Sequence, residues 1–231
     1  MAESRGTRER IVEAAVGLFY EKGFEGTGMA ELLIRAGANS GSFYHFFKGK
    51  EDLLSAVLDW YQAHLEPILI EPLRAQTPDP IERIFALLDG YRQRVLVTGC
   101  TYGCPIGRLA LEIDPARVDV HAAIAKNFTG WTGAVERFLK DAGDRLPRGL
   151  DRAELALFVL TVMEGGVMQS RAHRSIEPFD ASVRQLRHYF RHLEAEAALR
   201  GSKARRKVRR KPGRKPGFQP SPERQPPARK S

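Results

Sequence analysis

The chain has 231 residues, 37 Lys and Arg against 28 Asp and Glu, a formal charge of +9, and 42% hydrophobic residues. That length and apolar content suit one or two compact domains with a real core. Two cysteines cannot build a disulfide framework, and no apolar run approaches the roughly 18 residues of a membrane span. The opening MAESRGTRER has no apolar signal stretch, so the expected setting is the cytoplasm, with no membrane partner.

Charge is placed unevenly. Residues 201–231 hold 12 Lys and Arg and one acid, Glu223, whereas the other 200 residues are net −2. The globular part is therefore near neutral, and any nucleic-acid reading of it must rest on geometry.

From Thr7 to about Leu199 the pattern is helical, with Gly and Pro as punctuation and no sustained strand alternation. Thr7 caps a first predicted helix whose Ile11, Ala15, Leu18 and Phe19 share a face, and Gly23 ends it. Thr27 caps a short second helix with Leu32, Leu33 and Ala36, stopped at Gly37. Asn39 caps a third over Ser40–Phe47. Gly49 opens a fourth with Glu51 and Asp52 in its dipole-favoured first turn, running past Leu53, Val57, Trp60 and Tyr61 towards Pro67 or Pro72. Further helices are expected over Ile81–Val97, near Ala116–Ala142, and over Asp151–Ala172 and Pro178–Leu199. A bend lies between at Tyr102–Gly107, and a loop at Arg145–Gly149. The composition changes after Gly201, where six prolines and dense charge predict a disordered basic tail.

The short second and third helices around Gly37 read as a helix-turn-helix. Phe43 and Phe47, four apart, face the core, which turns Gly41, Ser42, Tyr44 and His45 outward. Glycine lets the backbone approach a duplex, and the other three reach phosphates or base edges. Lys48 and Lys50 add phosphate contacts.

These residues carry a family resemblance. The run Thr7, Gly23, Thr27, Ala36-Gly37, Gly41-Ser42-Phe43-Tyr44-His45-Phe46-Phe47 and Lys50-Glu51-Asp52-Leu53 resembles the DNA-binding head of TetR-family transcriptional regulators. Tyr102-Gly103-Cys104-Pro105-Ile106-Gly107-Arg108-Leu109-Ala110-Leu111-Glu112 is similar to the ligand-domain hallmark of the LmrA/YxaF-like branch. The likeness spans about residues 5–198. It implies an all-α homodimer with a helix-turn-helix head (1–50), a helical effector-binding and dimerisation domain (51–200), and the basic tail (201–231). It also implies that Thr27, Ser42, Tyr44, His45 and Lys50 touch a double-stranded operator, with Ser40 and Gly41 beside them on the inserted helix. Gly28, Leu33 and Ser40 depart from the residues common at their positions.

In the second domain Phe179, Val183, Leu186, Phe190 and Leu193 recur at three- and four-residue steps, and Gly165 and Gly166 permit close helix approach; together they suit a two-fold helical interface, with intramolecular core as the other reading of each residue. Tyr102, Cys104, Phe128, Trp131, Met163, Glu164 and Gln169 are the candidate effector pocket, apolar walls with a few polar anchors. Cys100 and Cys104 flank Gly103 and raise a redox switch as one reading, buried small hydrophobes as the other. His188 and His192 stand four apart without a third ligand in the sequence nearby, so no metal and no cofactor are expected. No phosphate-cradling loop, nucleophile elbow or separable carboxylate pair is present, which excludes an enzyme reading. Arg209–Pro216 loosely resembles an AT-hook, and mobile cations there would add salt-dependent attraction to DNA. The resulting expectation is a ligand-responsive transcriptional regulator; the competing class is an architectural DNA-binding protein driven by the tail.

Overall fold

The computed structural model describes residues 6–209, with side chains as far as residue 202. Its elements run α1 (Thr7–Lys22), α2 (Met29–Ala36), α3 (Ser40–Phe46), α4 (Lys50–His64), a π-helical turn (Leu65–Ile70), α5 (Glu71–Gln76), α6 (Pro80–Val97), α7 (Pro105–Glu112), α8 (Val118–Asp141), a 3-10 turn (Gly143–Arg145), α9 (Arg152–His173) and α10 (Glu177–Arg209). The fold is all-α, and among the described residues no helix is long and apolar enough to cross a membrane.

The head assembles around one small core. Ile11, Ala15, Leu18 and Phe19 of α1 are buried against Leu32 and Ala36 of α2 and Phe43 of α3. Gly37 takes the left-handed conformation (φ 59°, ψ 40°) that lets α2 stop and the chain turn within three residues into α3. Asn39 then caps α3, its side-chain oxygen accepting from Ser42 N at 2.8 Å. Arg10 Nε donates to Ala36 O at 3.3 Å, fastening α1 to that turn.

Thr27 does not cap α2. Gly28 occupies the N-cap, while the Thr27 hydroxyl turns inward and donates to Gly23 O at 2.7 Å. The helical path after α4 also outlasts its prolines. Pro72 sits in the first turn of α5, where a helix needs no N–H, and Pro67 falls in the π-helical turn, a widened register that accommodates a break in the usual ladder.

The body is built on α8, α9 and α10, with α4 and α6 packed across them. Gly166 lies against Phe179, where a Cβ would come within 3.0 Å of the ring, so α9 and α10 approach closely inside one subunit. Phe179, Leu186, Phe190 and Leu193 are buried in this subunit's own core and Val183 packs beside them, which is the intramolecular reading of these residues and not the two-fold one. Helix α10 also runs through Gly201 to Arg209, nine residues into the stretch expected to be disordered. A single glycine weakens a helix by about 1 kcal/mol, and extending an existing helix carries no nucleation penalty. Most of the segment with AT-hook likeness lies outside the described residues.

Candidate DNA-reading helix and ligand cavity

On α3 the alternation of faces is sharp. Phe43 and the following Phe47 are fully buried, with rings 5.6 Å apart, whereas Tyr44 is 65% exposed. Ser40, Gly41, His45 and Lys48 are exposed and Ser42 is half-buried, so these residues form one outward surface. Tyr44 rests edge-on against Phe43 at 5.2 Å, which fixes its ring from below and leaves its hydroxyl end outward. Phe46, also exposed, completes the surface by an edge contact with His45; the sequence pattern had not singled it out.

Two expected DNA contacts are engaged internally instead. Thr27 is 2% exposed and spends its hydroxyl on Gly23 O. Lys50 Nζ donates to Thr27 O at 3.1 Å and stands 4.4 Å from the centre of the Phe24 ring. Both therefore brace the loop between α1 and α2 against the start of α4. Sequence spacing places a residue near the duplex but does not say whether its side chain is already bound.

Behind the head, a cavity of about 410 Å³ lies between α1, α4, the π-helical turn, α6, α8 and α9, with the start of α7 at one side. Of the expected effector residues, Cys104, Phe128, Trp131 and Glu164 line it. Met163 is fully buried in the core and Gln169 is exposed, because successive α-helical residues rotate by about 100° and neither shares the Glu164 face. Tyr102 stands behind the wall, its ring 5.2 Å from that of Tyr20.

The sequence reading missed much of the aromatic wall: Tyr20, Trp60, Tyr61, His64 and Tyr91, together with Asn127 and, at the rim, Arg94. A signal existed in α4. Leu53, Leu54, Val57 and Leu58 fill the core, so the aromatic residues one turn later needed a second surface to cover. His64 stacks on Trp60 at 4.1 Å and its Nδ1 lies 2.8 Å from Trp60 O, while Trp131 Nε1 donates to the Tyr91 hydroxyl at 3.2 Å. Asn127 Nδ2 donates to Leu58 O and Ala123 O, both at 3.1 Å.

Glu164 is the charged group of the inner wall. Burial raises its pKa, and its Oε1 has no hydrogen-bond partner. Its other oxygen lies where a side chain on residue 107 would have to go, so Gly107 makes room for the carboxylate. The Cys104 thiol faces it, and burial together with the Glu164 charge pushes that thiol well above its usual pKa. Cys100 and Cys104 are both buried and unpaired, as small apolar packing groups are. His188 and His192 are exposed, and the described residues contain no group of three or more potential metal ligands.

Helix α7 bridges cavity and head. Its N-cap is the wall residue Cys104, and its far end carries Arg108 and Glu112, paired at 3.0 Å. Arg108 Nη1 donates to Tyr20 O and Glu21 O at 3.3 and 3.2 Å, while Glu112 accepts from Phe24 N. Tyr20 O and Glu21 O are among the last carbonyls of α1, which have no partner within the helix, and Phe24 N lies in the turn that follows.

Elsewhere α9 and α10 expose Leu157, Phe158, Met168 and Tyr189, and Phe158 and Tyr189 line an open groove with Leu155, Val162 and Leu186. Gly165 opens onto free space here, unlike Gly166.

A helix-turn-helix head joined to an all-helical body is the architecture of a DNA-binding transcriptional regulator. The chain belongs to the TetR family: residues 11–57 match the bacterial regulatory proteins, tetR family, and residues 80–185 match the transcriptional regulator LmrA/YxaF-like, C-terminal domain. Rv0196 of Mycobacterium tuberculosis, an uncharacterized HTH-type transcriptional regulator, is 34% identical over 191 residues, covering 79% of this chain and 93% of that protein. LmrA of Bacillus subtilis is 29% identical over 173 residues, 74% of this chain and 90% of that protein. The crystal structure of Escherichia coli NemR in its reduced form superposes with a TM-score of 0.68 at 26% identity, covering 79% of this chain and 95% of that one. The protein is a transcriptional regulator and not an enzyme, and proteins of this family bind DNA and act as dimers.

Proposed function

We propose that this protein is a repressor that binds a near-palindromic operator in the cytoplasm and leaves it when a small molecule fills the cavity between α1, α4, α6, α8 and α9. The observation that carries the reading is the outward surface of α3. Gly41, Ser42, Tyr44 and His45 would enter the major groove, with Ser40 and Lys48 on flanking phosphates. Thr27 and Lys50 serve as braces for the head. The exposed apolar strip of α9 and α10 is the two-fold contact, since Leu157, Phe158, Met168 and Tyr189 have no cover within the subunit and a family dimer needs one.

Cys104, Phe128, Trp131 and Glu164, with the aromatic residues of α4, form the effector site. Occupancy would press on the start of α7, whose other end holds the last carbonyls of α1, and so shift the two heads relative to one another. Repression is the sign of regulation carried by NemR, named a transcriptional repressor and 26% identical over 179 residues, and the same sign is adopted here.

Selection of bound fragments from random duplex DNA tests this. Recovery of an inverted repeat is the expected result. Enrichment of A·T-rich DNA without a repeat would overturn the proposal and leave the architectural class standing.

A further inference from the structure

Two residues of the cavity lining, Asn127 and Glu164, are left with an acceptor oxygen unengaged. Trp60 O can only accept, so His64 Nδ1 donates to it. The Asn127 amide gives its nitrogen to two carbonyls, which leaves Oδ1 to accept. Glu164 adds a carboxylate with one oxygen unpartnered, and among the described residues no cation stands beside it. Arg94, the cation at the rim, is exposed and lies over the Tyr91 ring at 5.7 Å, where water screens its charge. A buried carboxylate left this way is costly unless a binding partner supplies the missing donor and charge.

The walls add a second requirement. Tyr20, Trp60, Tyr61, Tyr91, Phe128 and Trp131 line a space of about 410 Å³, which suits a flat molecule of a few fused rings. Aromatic faces carry negative quadrupole potential and attract a cation, so the walls and the carboxylate favour the same sign of ligand.

We propose that the effector is a planar aromatic cation, its rings held between the aromatic walls and its positively charged nitrogen donating to Glu164. This rests on the ligand-controlled reading given above, and it specifies the ligand's charge and shape.

Titration calorimetry on the full-length protein, without DNA, tests it with three probes of similar size: proflavine (a cation), phenazine (neutral) and anthracene-9-carboxylate (an anion). Proflavine is expected to bind most tightly, one per subunit, and the anion most weakly. The protein's overall charge of +9 would produce the reverse order by non-specific attraction. Glu164→Gln should weaken proflavine at least tenfold and change phenazine less than twofold. Absence of proflavine binding, equal or tighter binding of phenazine or the anion, or an unaltered proflavine affinity in Glu164→Gln each overturns the proposal. The probe series on the unsubstituted protein decides by itself if the variant fails to fold. Because no DNA is present, a cation-selective cavity in a protein that selects no operator would sink the repressor reading and leave this one intact.

Discussion

The Glu112 carboxylate, at the end of α7, accepts a hydrogen bond of 2.7 Å from the backbone N–H of Phe24, 88 residues earlier in the chain. Gly23 beside it has φ 82°, and a side chain there would collide with the same carboxylate. The head is therefore tied to the body by a bond that needs a glycine on one side and an acid on the other. Glu112→Ala leaves the part-buried Phe24 N–H unpaired and strips Arg108 of its partner, a loss of about 1–3 kcal/mol. The expected outcome is a lower denaturation midpoint with faster amide exchange at Phe24 and Thr27. Unchanged exchange there would show that the bond does not hold the head.

Tyr44→Ala separates reading from folding. The side chain is 65% exposed and touches Phe43 by its edge, so thermal stability should move by less than about 1 kcal/mol. Binding to the selected operator should fall at least tenfold, since both heads of a dimer lose the contact. Gel-shift titration beside thermal melting checks both halves. A drop in stability without a drop in affinity would relocate Tyr44 to the core.

The head was legible in sequence because its signals are local. Gly37, Asn39 and the Phe43–Phe47 pair each act within one turn, and each is found doing what its chemistry requires. The cavity was half-legible. Cys104, Phe128, Trp131 and Glu164 were identifiable, but Tyr20, Trp60 and Tyr91 reach the same space from three other helices, and no periodicity along one helix reports which face of another it meets. The two-fold interface was not legible for a related reason. Phe179, Leu186 and Phe190 have the spacing of a seam, yet that spacing is shared by any helix buried against its own subunit. Only the exposed remainder, Leu157 and Met168 among it, distinguishes the two.

That remainder gives a contrast between two variants. Leu157 and Met168 are each 58% exposed in the single subunit, so Leu157→Asp with Met168→Glu should leave the subunit folded and dissociate the dimer. Phe190→Ala, by comparison, empties a site that is 1% exposed and should destabilise the subunit by about 3–5 kcal/mol. Sedimentation equilibrium and denaturant unfolding distinguish these outcomes. A charge pair at 157 and 168 that leaves the dimer intact would move the interface elsewhere.

The remaining prediction concerns acid stability. Arg92 of α6 grips Asp180 of α10 through two bonds, Nε to Oδ1 at 2.7 Å and Nη2 to Oδ2 at 2.9 Å. Hydrogen bonding to the Arg92 guanidinium holds the Asp180 carboxyl below its usual pKa, with the Arg92 charge and the nearby Arg184 adding to the effect against the opposing pull of burial. A folded-state pKa below the unfolded one means that the ionised form stabilises the protein above the unfolded value of about 3.9, and that this contribution fades as pH falls through the folded value. Both side chains are about one-third exposed, so solvent screening limits the pair to roughly 1 kcal/mol. Asp180→Asn should accordingly lower stability by that amount at pH 7, with the deficit shrinking steadily below about pH 4. Urea unfolding at a series of pH values measures the difference. A deficit independent of pH would mean that Asn disturbs the packing of α6 on α10 and that the charge of Asp180 contributes nothing.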